Sequence, residues 1–462
     1  MAGLCVIVTE DRRQNTEDRR QNTEIRTLNT GYTILMIVIK QILMIIIGVM
    51  MTTSLYGCDL FSIREADDAP DVLERRELPR ELEETEMQLV DASGRFGFNL
   101  MQRIAGTDPV SNHVISPLSI VMAYGMLLNG AEGDTYEQIR DVLEMEGMDR
   151  GQINGAAESL IELLTTFDDH VAFRIANSIW YRNTFDVESD FLKTNRRYFG
   201  AVIEQADFND PETADLINDW VSDETEGLIK DVVEPPIDPL TVMFLINAIY
   251  FNGEWTLPFD PELTETQPFY RTDGTESEVD MMRLDAAEDM EYTSGENFRA
   301  VNLKYGDAGF AMTMVLPDED IGLREWVQQM DWQQWQSLTQ GFRHVTLDLE
   351  MPKFELEYDV EDFKSRLIDM GMVNAFDPKL SDFSRINPER DDLYVSDTEH
   401  KTFIRVDEEG TEAAAVTSIE MRVTSAPRHV QIRFDRPWFF VIREVESNTP
   451  LFMGAMTDPA DG

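Results

Sequence analysis

Cysteine is nearly absent from this chain. Its 462 residues contain two, Cys5 and Cys58, and none follows residue 58. The main body therefore has no internal disulfide, whatever its compartment, and must be held by packing. Lysine is almost as scarce: eight of 39 basic residues, the rest being arginine. Basic residues as a class are outnumbered, 39 Lys+Arg against 88 Asp+Glu, for a net charge of −49. Such a surface repels nucleic acid and anionic membrane and argues against both as partners. An acidic, lysine-poor surface suits concentrated salt, where screening suppresses self-repulsion; a halophilic source and a merely acidic secreted protein both fit. Catalytic signatures are missing too. Five histidines (His113, His170, His344, His400, His429) accompany no G-x-S-x-G elbow, no H-E-x-x-H, no C-x-x-C and no glycine-rich phosphate loop. Carboxylates are so numerous that no pair of them is informative. The chain reads as a non-enzyme, with no metal and no cofactor.

Hydrophobic residues make up 42% and aromatics 10%, enough for a sizeable core. The first ninety residues read as something other than fold. Residues 9–15, Thr-Glu-Asp-Arg-Arg-Gln-Asn, are repeated without change at 16–22. A heptad with no apolar position cannot form a coiled-coil seam, so 1–35 reads as a low-complexity leader. Met36 is an alternative start, which would put that leader outside the native protein. Residues 36–57 have a short basic-ended lead, an apolar run and Leu55-Tyr56-Gly57-Cys58. This is the plan of a signal peptide, and its end resembles a bacterial lipobox with a bulkier residue, Tyr56, than usual. Cys58 would then be lipidated, and the protein anchored at the cell envelope or secreted, outside the cytoplasm. An uncleaved signal anchor is the alternative. Residues 58–90 are acidic and weakly apolar, a solvated tether.

Residues 91–462 show no long linker and no repeat. Ser116-Pro117 opens a helix through Met122, Ala123, Met126 and Leu127 to Gly130. Thr135 with Gln138 forms a capping-box pattern. A third helix spans 210–227, with Leu216, Ile217 and Trp220 on one face. Later segments read as strands: 242–251 is nearly all apolar, buried on both faces; 345–351 alternates, with one wet face; 437–443 and 451–456 pair around Ser447-Asn448-Thr449. Helices first and antiparallel strands later predict an α+β domain.

Residues 408–424 split into two interleaved sets. Thr411, Ala413, Ala415, Thr417, Ile419, Met421 and Val423 are small or apolar. Glu412, Ala414, Val416, Ser418, Glu420 and Arg422 are half charged. That is the period-2 pattern of a half-buried strand. The alanine-rich first half has weak strand propensity, and local propensity alone favours a surface helix.

Several separated segments bear on this choice: Val406-Asp407-Glu408-Glu409-Gly410-Thr411-Glu412-Ala413-Ala414-Ala415, Ile115-Ser116-Pro117-Leu118-Ser119-Ile120, and Asn247-Ala248-Ile249-Tyr250-Phe251-Asn252-Gly253-Glu254-Trp255. His400-Lys401, Asp435-Arg436-Pro437-Trp438-Phe439 and Leu451-Phe452-Met453-Gly454 complete the set. In this order and spacing they make the chain resemble a serpin across residues 92–458. The resemblance implies three β-sheets, eight or nine helices and an exposed reactive loop near the C-terminus. It implies a metastable inhibitor: a protease cuts the loop and is acylated, and the loop inserts as a strand of the main sheet. About 13 inserted residues at ~3.3 Å each would span ~40 Å. By matching position, Glu408, Glu409, Gly410, Thr411, Glu412, Ala413, Ala414 and Ala415 form the hinge. Ser116, Ser119, Asn247 and His400 fall on the shutter where strands part. Trp255 and Glu408 fall on the breach where the loop first enters. The reactive bond would be Thr424–Ser425, suiting elastase- or subtilisin-like serine proteases, with cysteine proteases as further targets. Arg422–Val423 is the alternative and suits trypsin-like enzymes. The expected protein is a monomer; the rival reading is a serpin-fold binding protein that does not inhibit.

Overall fold

The structure, a computed structural model, describes residues 2–10, 76–411 and 429–461. It begins with β1 (Ala2–Glu10), α1 (Glu84–Thr107), β2 (His113–Ile115), α2 (Pro117–Leu128), α3 (Gly133–Val142), α4 (Arg150–Thr165) and β3 (Val171–Arg182). Next come α5 (Ser189–Tyr198), β4 (Val202–Ala206), α6 (Glu212–Glu224), β5 (Thr241–Glu254), β6 (Glu265–Tyr270), β7 (Glu276–Ser294), β8 (Phe298–Tyr305) and β9 (Phe310–Pro317). After these stand α7 (Leu323–Gln329), α8 (Trp332–Thr339), β10 (Arg343–Pro352), β11 (Phe354–Asp359), α9 (Phe363–Met370) and β12 (Leu393–Val406). β13 (Gly410–Thr411), β14 (His429–Arg433), β15 (Trp438–Glu444) and β16 (Pro450–Met456) close the chain. The nine α-helices among the described residues and the mixed sheets make the α+β architecture expected.

One sheet has the order β11-β12-β1-β5-β3-β4, with β13 also on β5. β5 explains its position by composition. Val242, Met243, Leu245, Ile249 and Phe251 join the main core, while Phe244, Ile246 and Tyr250 join a second cluster on the opposite face. A strand sandwiched between two apolar layers needs the continuous apolar run that 242–251 supplies. Below the sheet lies α2, all twelve of its residues buried. Above it lies α6, whose Ala214, Ile217 and Val221 fill the second cluster. Leu216, expected on that face, points out instead and is 53% exposed, because the buried stripe runs through 214, 217 and 221.

The other sheet has the order β14-β10-β7-β8-β9-β15-β16-β2, with β6 on β7. Where three sheets were expected, β7 joins the two smaller ones. Its first residues pair with β6, its middle with β10 and its last four with β8. Register shifts on β10 and positive φ at Ala286 (47°) and Asp289 (61°) mark the bulges that bend it. β15 and β16 pair as expected, and both are wholly buried.

Two boundaries differ from expectation. α1 starts at Glu84, inside the segment read as a tether. Glu83 and Glu86 form a capping box, Arg80 pairs with the buried Glu86, and Leu89 and Val90 enter the core. Charge density there disguised a helix start. α3 likewise starts at Gly133, before the expected cap, and the Thr135 hydroxyl accepts from the Asp382 N–H. The larger correction is at the N-terminus. Residues 2–10, read as low-complexity leader, form β1 in the middle of the main sheet. Leu4, Val6 and Val8 alternate into the core, while Cys5 and Ile7 meet the α6 side. The signal-peptide residues 36–57, Cys58 and most of the tether lie outside the described residues.

α1 crosses α8 at Gly94, where an added Cβ would land on the Trp332 ring. Trp332 is anchored by its Nε1–H to Asp91 Oδ1 at 2.8 Å, so it cannot simply swing away. Gly94→Ala is therefore expected to destabilise by about 1–3 kcal/mol despite alanine's better helix propensity. A urea midpoint unchanged or raised would show that the crossing tolerates the methyl.

Candidate functional site

Two polar clusters lie on the track between β5 and β12. The lower one starts at the N-terminus of α2. Ser116 caps that helix, its Oγ accepting from the Ser119 N–H at 3.3 Å and donating to the Leu451 carbonyl at 2.7 Å. The Ser116 N–H donates to His400 Nε2 at 3.0 Å, and Ser119 Oγ donates to Asn247 Oδ1 at 2.5 Å. Asn247 Nδ2 continues to Asn177 Oδ1 at 2.9 Å, and Asn177 Nδ2 to the Phe199 carbonyl at 2.8 Å. The four expected shutter residues are thus together, all wholly buried. Asn177 belongs to the same chain of bonds and was missed, because nothing near it in sequence marks it.

Accepting at Nε2 makes His400 the neutral tautomer with its proton on Nδ1. Burial drives its pKa down to about 3, opposed by the Gly3 backbone. Nδ1 faces that Gly3 backbone of β1, but the two are not aligned as a well-formed hydrogen bond. Immediately across the ladder stands Leu4 of β1, paired with His400 on one side and Asn247 on the other. An aliphatic side chain thus sits in the polar layer.

The upper cluster receives the end of β12. Asp407 Oδ1 accepts from the N–H groups of Glu409 and Gly410, and the Asp407 N–H donates to the Gly410 carbonyl, making a tight turn. Trp255 reads this turn: its N–H donates to the Glu409 carbonyl at 2.8 Å and its Nε1–H to the Asp407 carbonyl at 2.9 Å. The Trp255 ring stacks on Tyr305 at 4.3 Å, and the buried Tyr305 hydroxyl meets Thr411 Oγ1 at 2.8 Å. Glu408 is held by Lys353 Nζ at 2.7 Å and by the Thr264 hydroxyl at 2.6 Å. Burial raises its pKa, but Lys353 and Thr264 outweigh it, and the net shift is downward. Gly410 and Thr411 then pair with Glu254 and Gly253 of β5. Gly410 has φ of 151°, and a Cβ there would strike the Gly253 carbonyl, so this position requires glycine.

Trp255 and Glu408, the two expected breach residues, sit at the same turn: Trp255 bonds the carbonyls on either side of Glu408, those of Asp407 and Glu409. Tyr305, Thr264 and Lys353 join them and were missed; Lys353, one of eight lysines, was the available signal. Hinge residues Glu412, Ala413, Ala414 and Ala415, and both candidate reactive bonds, Thr424–Ser425 and Arg422–Val423, lie outside the described residues.

Comparison with known proteins is consistent along most of the chain. The family model "Serpin (serine protease inhibitor)" matches residues 91–459. Human neuroserpin is 30% identical over 379 residues, covering 80% of this chain and 91% of its own. Mouse antithrombin-III is 33% identical over 397 residues, covering 80% and 82%. An uncharacterised serpin-like protein of Methanosarcina acetivorans is 29% identical, covering 81% and 87%. The native structure of the thermophilic serpin tengpin superposes with a TM-score of 0.72 at 29% identity, over 82% of this chain and 95% of that one. Human thyroxine-binding globulin superposes with a TM-score of 0.71 at 25% identity, over 81% and 99%. The family match begins at residue 91, so β1 lies outside it.

His400 yields a pH prediction. The unfolded chain takes up a proton near the ordinary 6.5, whereas the folded chain resists until about 3. Stability is therefore present above pH 6.5 and lost as pH falls toward 3, at up to ~1.4 kcal/mol per unit. Denaturant titrations of wild type and His400→Gln between about pH 7 and 4 should show a shallower decline in the variant. Identical slopes would mean that His400 titrates normally in the fold.

Proposed function

We propose, from the premise that this chain belongs to the serpin family, that it inhibits serine proteases as a suicide substrate and is not an enzyme. One observation carries the reading. The hinge has already entered the sheet at Gly410–Thr411, beside β5, under the grip of Trp255 and Tyr305. The next residues in the chain, Glu412 to Ala415, offer small side chains for the next inward positions. A loop with that start can continue as a strand once cut, carrying an acylated protease with it. Small Thr424 before the bond favours elastase- or subtilisin-like targets, with Arg422–Val423 and trypsin-like targets as the second register. Cysteine proteases fit the same acylation scheme. The lipobox-like end at Cys58 supports an extracytoplasmic protein, either lipid-anchored or secreted, and 36–57 as its signal peptide.

The second reading is a serpin-fold binding protein that does not inhibit. One observation favours it: β1 already occupies the place between β5 and β12 that an inserted loop would need.

Incubation with elastase, subtilisin and trypsin, followed by denaturing gels, separates the two. An SDS-stable complex is expected, with subtilisin or elastase ahead of trypsin; cleavage without complex across the panel would favour the binding protein. Thr411, 4% exposed and bonded to Tyr305, gives the matching variant. Thr411→Arg would bury an unpaired charge in the sheet, so it should turn inhibitor into substrate, with cleaved chain replacing complex on the gel. Complex formation undiminished in the variant would refute the inserted-strand mechanism.

A further inference from the structure

β1 and the hinge use the same edge of β5. Thr411 pairs with Gly253, and Ala2 pairs with Ile249, both antiparallel. Three residues of β5, Tyr250, Phe251 and Asn252, separate the two footprints. A hinge continuing in its own register reaches Ile249 at Ala415, where Ala2 already stands. From there the correspondence is residue by residue. Thr417, Ile419 and Met421 would take the β5 partners of Leu4, Val6 and Val8, namely Asn247, Leu245 and Met243. The inward set of the loop would thus replace the inward set of β1, and Ser418 and Glu420 would replace Cys5 and Ile7. Strand direction, register and facing all coincide, so one track cannot hold both.

We propose that β1 is a removable occupant of the insertion track: the N-terminal strand of the chain seals the sheet and must leave before the reactive loop can insert. This rests on the reading of 411–424 as an inserting strand. The shutter says which occupant fits better. Leu4 stands between Asn247 and His400, whose buried Nδ1–H faces the Gly3 backbone of β1 without forming a well-aligned hydrogen bond. The loop would bring Thr417 to that position, whose hydroxyl can accept from Nδ1–H. A buried donor with a poorly aligned acceptor favours the occupant that offers a better one. β1 is therefore a holding strand, and the loop is the final one. In a chain processed at the proposed signal peptide β1 leaves with the leader, whereas in the full chain the loop itself must displace it.

Cys5 supplies the reporter. It is 1% exposed, and burial together with Glu399 and Asp397 raises its thiol pKa, both of which suppress reactivity while β1 is seated. In the full chain carrying Cys58→Ser, Cys5 is the remaining thiol. With 5,5′-dithiobis(2-nitrobenzoate), Cys5 should be protected in the intact protein and react stoichiometrically once subtilisin has cut the loop. Prompt reaction before cleavage would overturn the proposal, as would protection that persists after cleavage. A gel of the same sample reads the inhibitory function separately. Thiol release without an SDS-stable complex supports displacement and sinks the inhibitor reading; complex without release does the reverse. Leu4→Asp with Val6→Asp, which should expel β1, is expected to expose Cys5 before cleavage. It should also speed complex formation by about tenfold or more, since only chains with a vacant track can complete insertion.

Discussion

The gap between β5 and β12 admits a single strand, and much of the molecule is organised around that limit. Both flanking strands present unsatisfied backbone groups along their facing edges when they part. A strand in between pairs with both at once, as β1 does over eight residues of β5 and nine of β12. The apolar layers above and below reward any occupant that alternates correctly. The same physics that would favour insertion of a cleaved loop in the proposed mechanism makes the track attractive to any segment of suitable alternation.

Polar clusters bound this track at two heights. At the top, Trp255 and Tyr305 hold the turn after β12, and Glu408 is pinned by Lys353 and Thr264. These contacts let the hinge start into the sheet while holding its first residues in register. Halfway down, Ser116, Ser119, Asn247 and His400 tie α2 to both flanking strands. The cluster is buried and hydrogen-bonded, and burial keeps His400 neutral. Parting β5 from β12 changes this layer, so its bonds contribute to the barrier that any incoming strand meets.

Much of this was legible in sequence, for identifiable reasons. β5 is betrayed by its uninterrupted apolar run and α2 by Ser116-Pro117. The shutter and breach came from resemblance and not from periodicity; no local pattern joins Ser116 to His400 across 284 positions. Asn177, Tyr305 and Thr264 escaped because their roles depend on tertiary neighbours alone. β1 escaped for a different reason. Leu4, Val6 and Val8 form a valid strand pattern, but it is short and gives way at once to polar repeats that read as unstructured. Nothing local indicates that its partners lie near residues 245 and 398.

In the proposed mechanism β1 and the cut loop compete for one place, and hydrogen–deuterium exchange read by mass spectrometry, before and after a single cleavage of the loop, tests that competition most directly. Peptides covering residues 2–10 are expected to be protected beforehand and to exchange freely afterwards, while β5 and β12 stay protected throughout. Continued protection of residues 2–10 in the cleaved protein would contradict the competition.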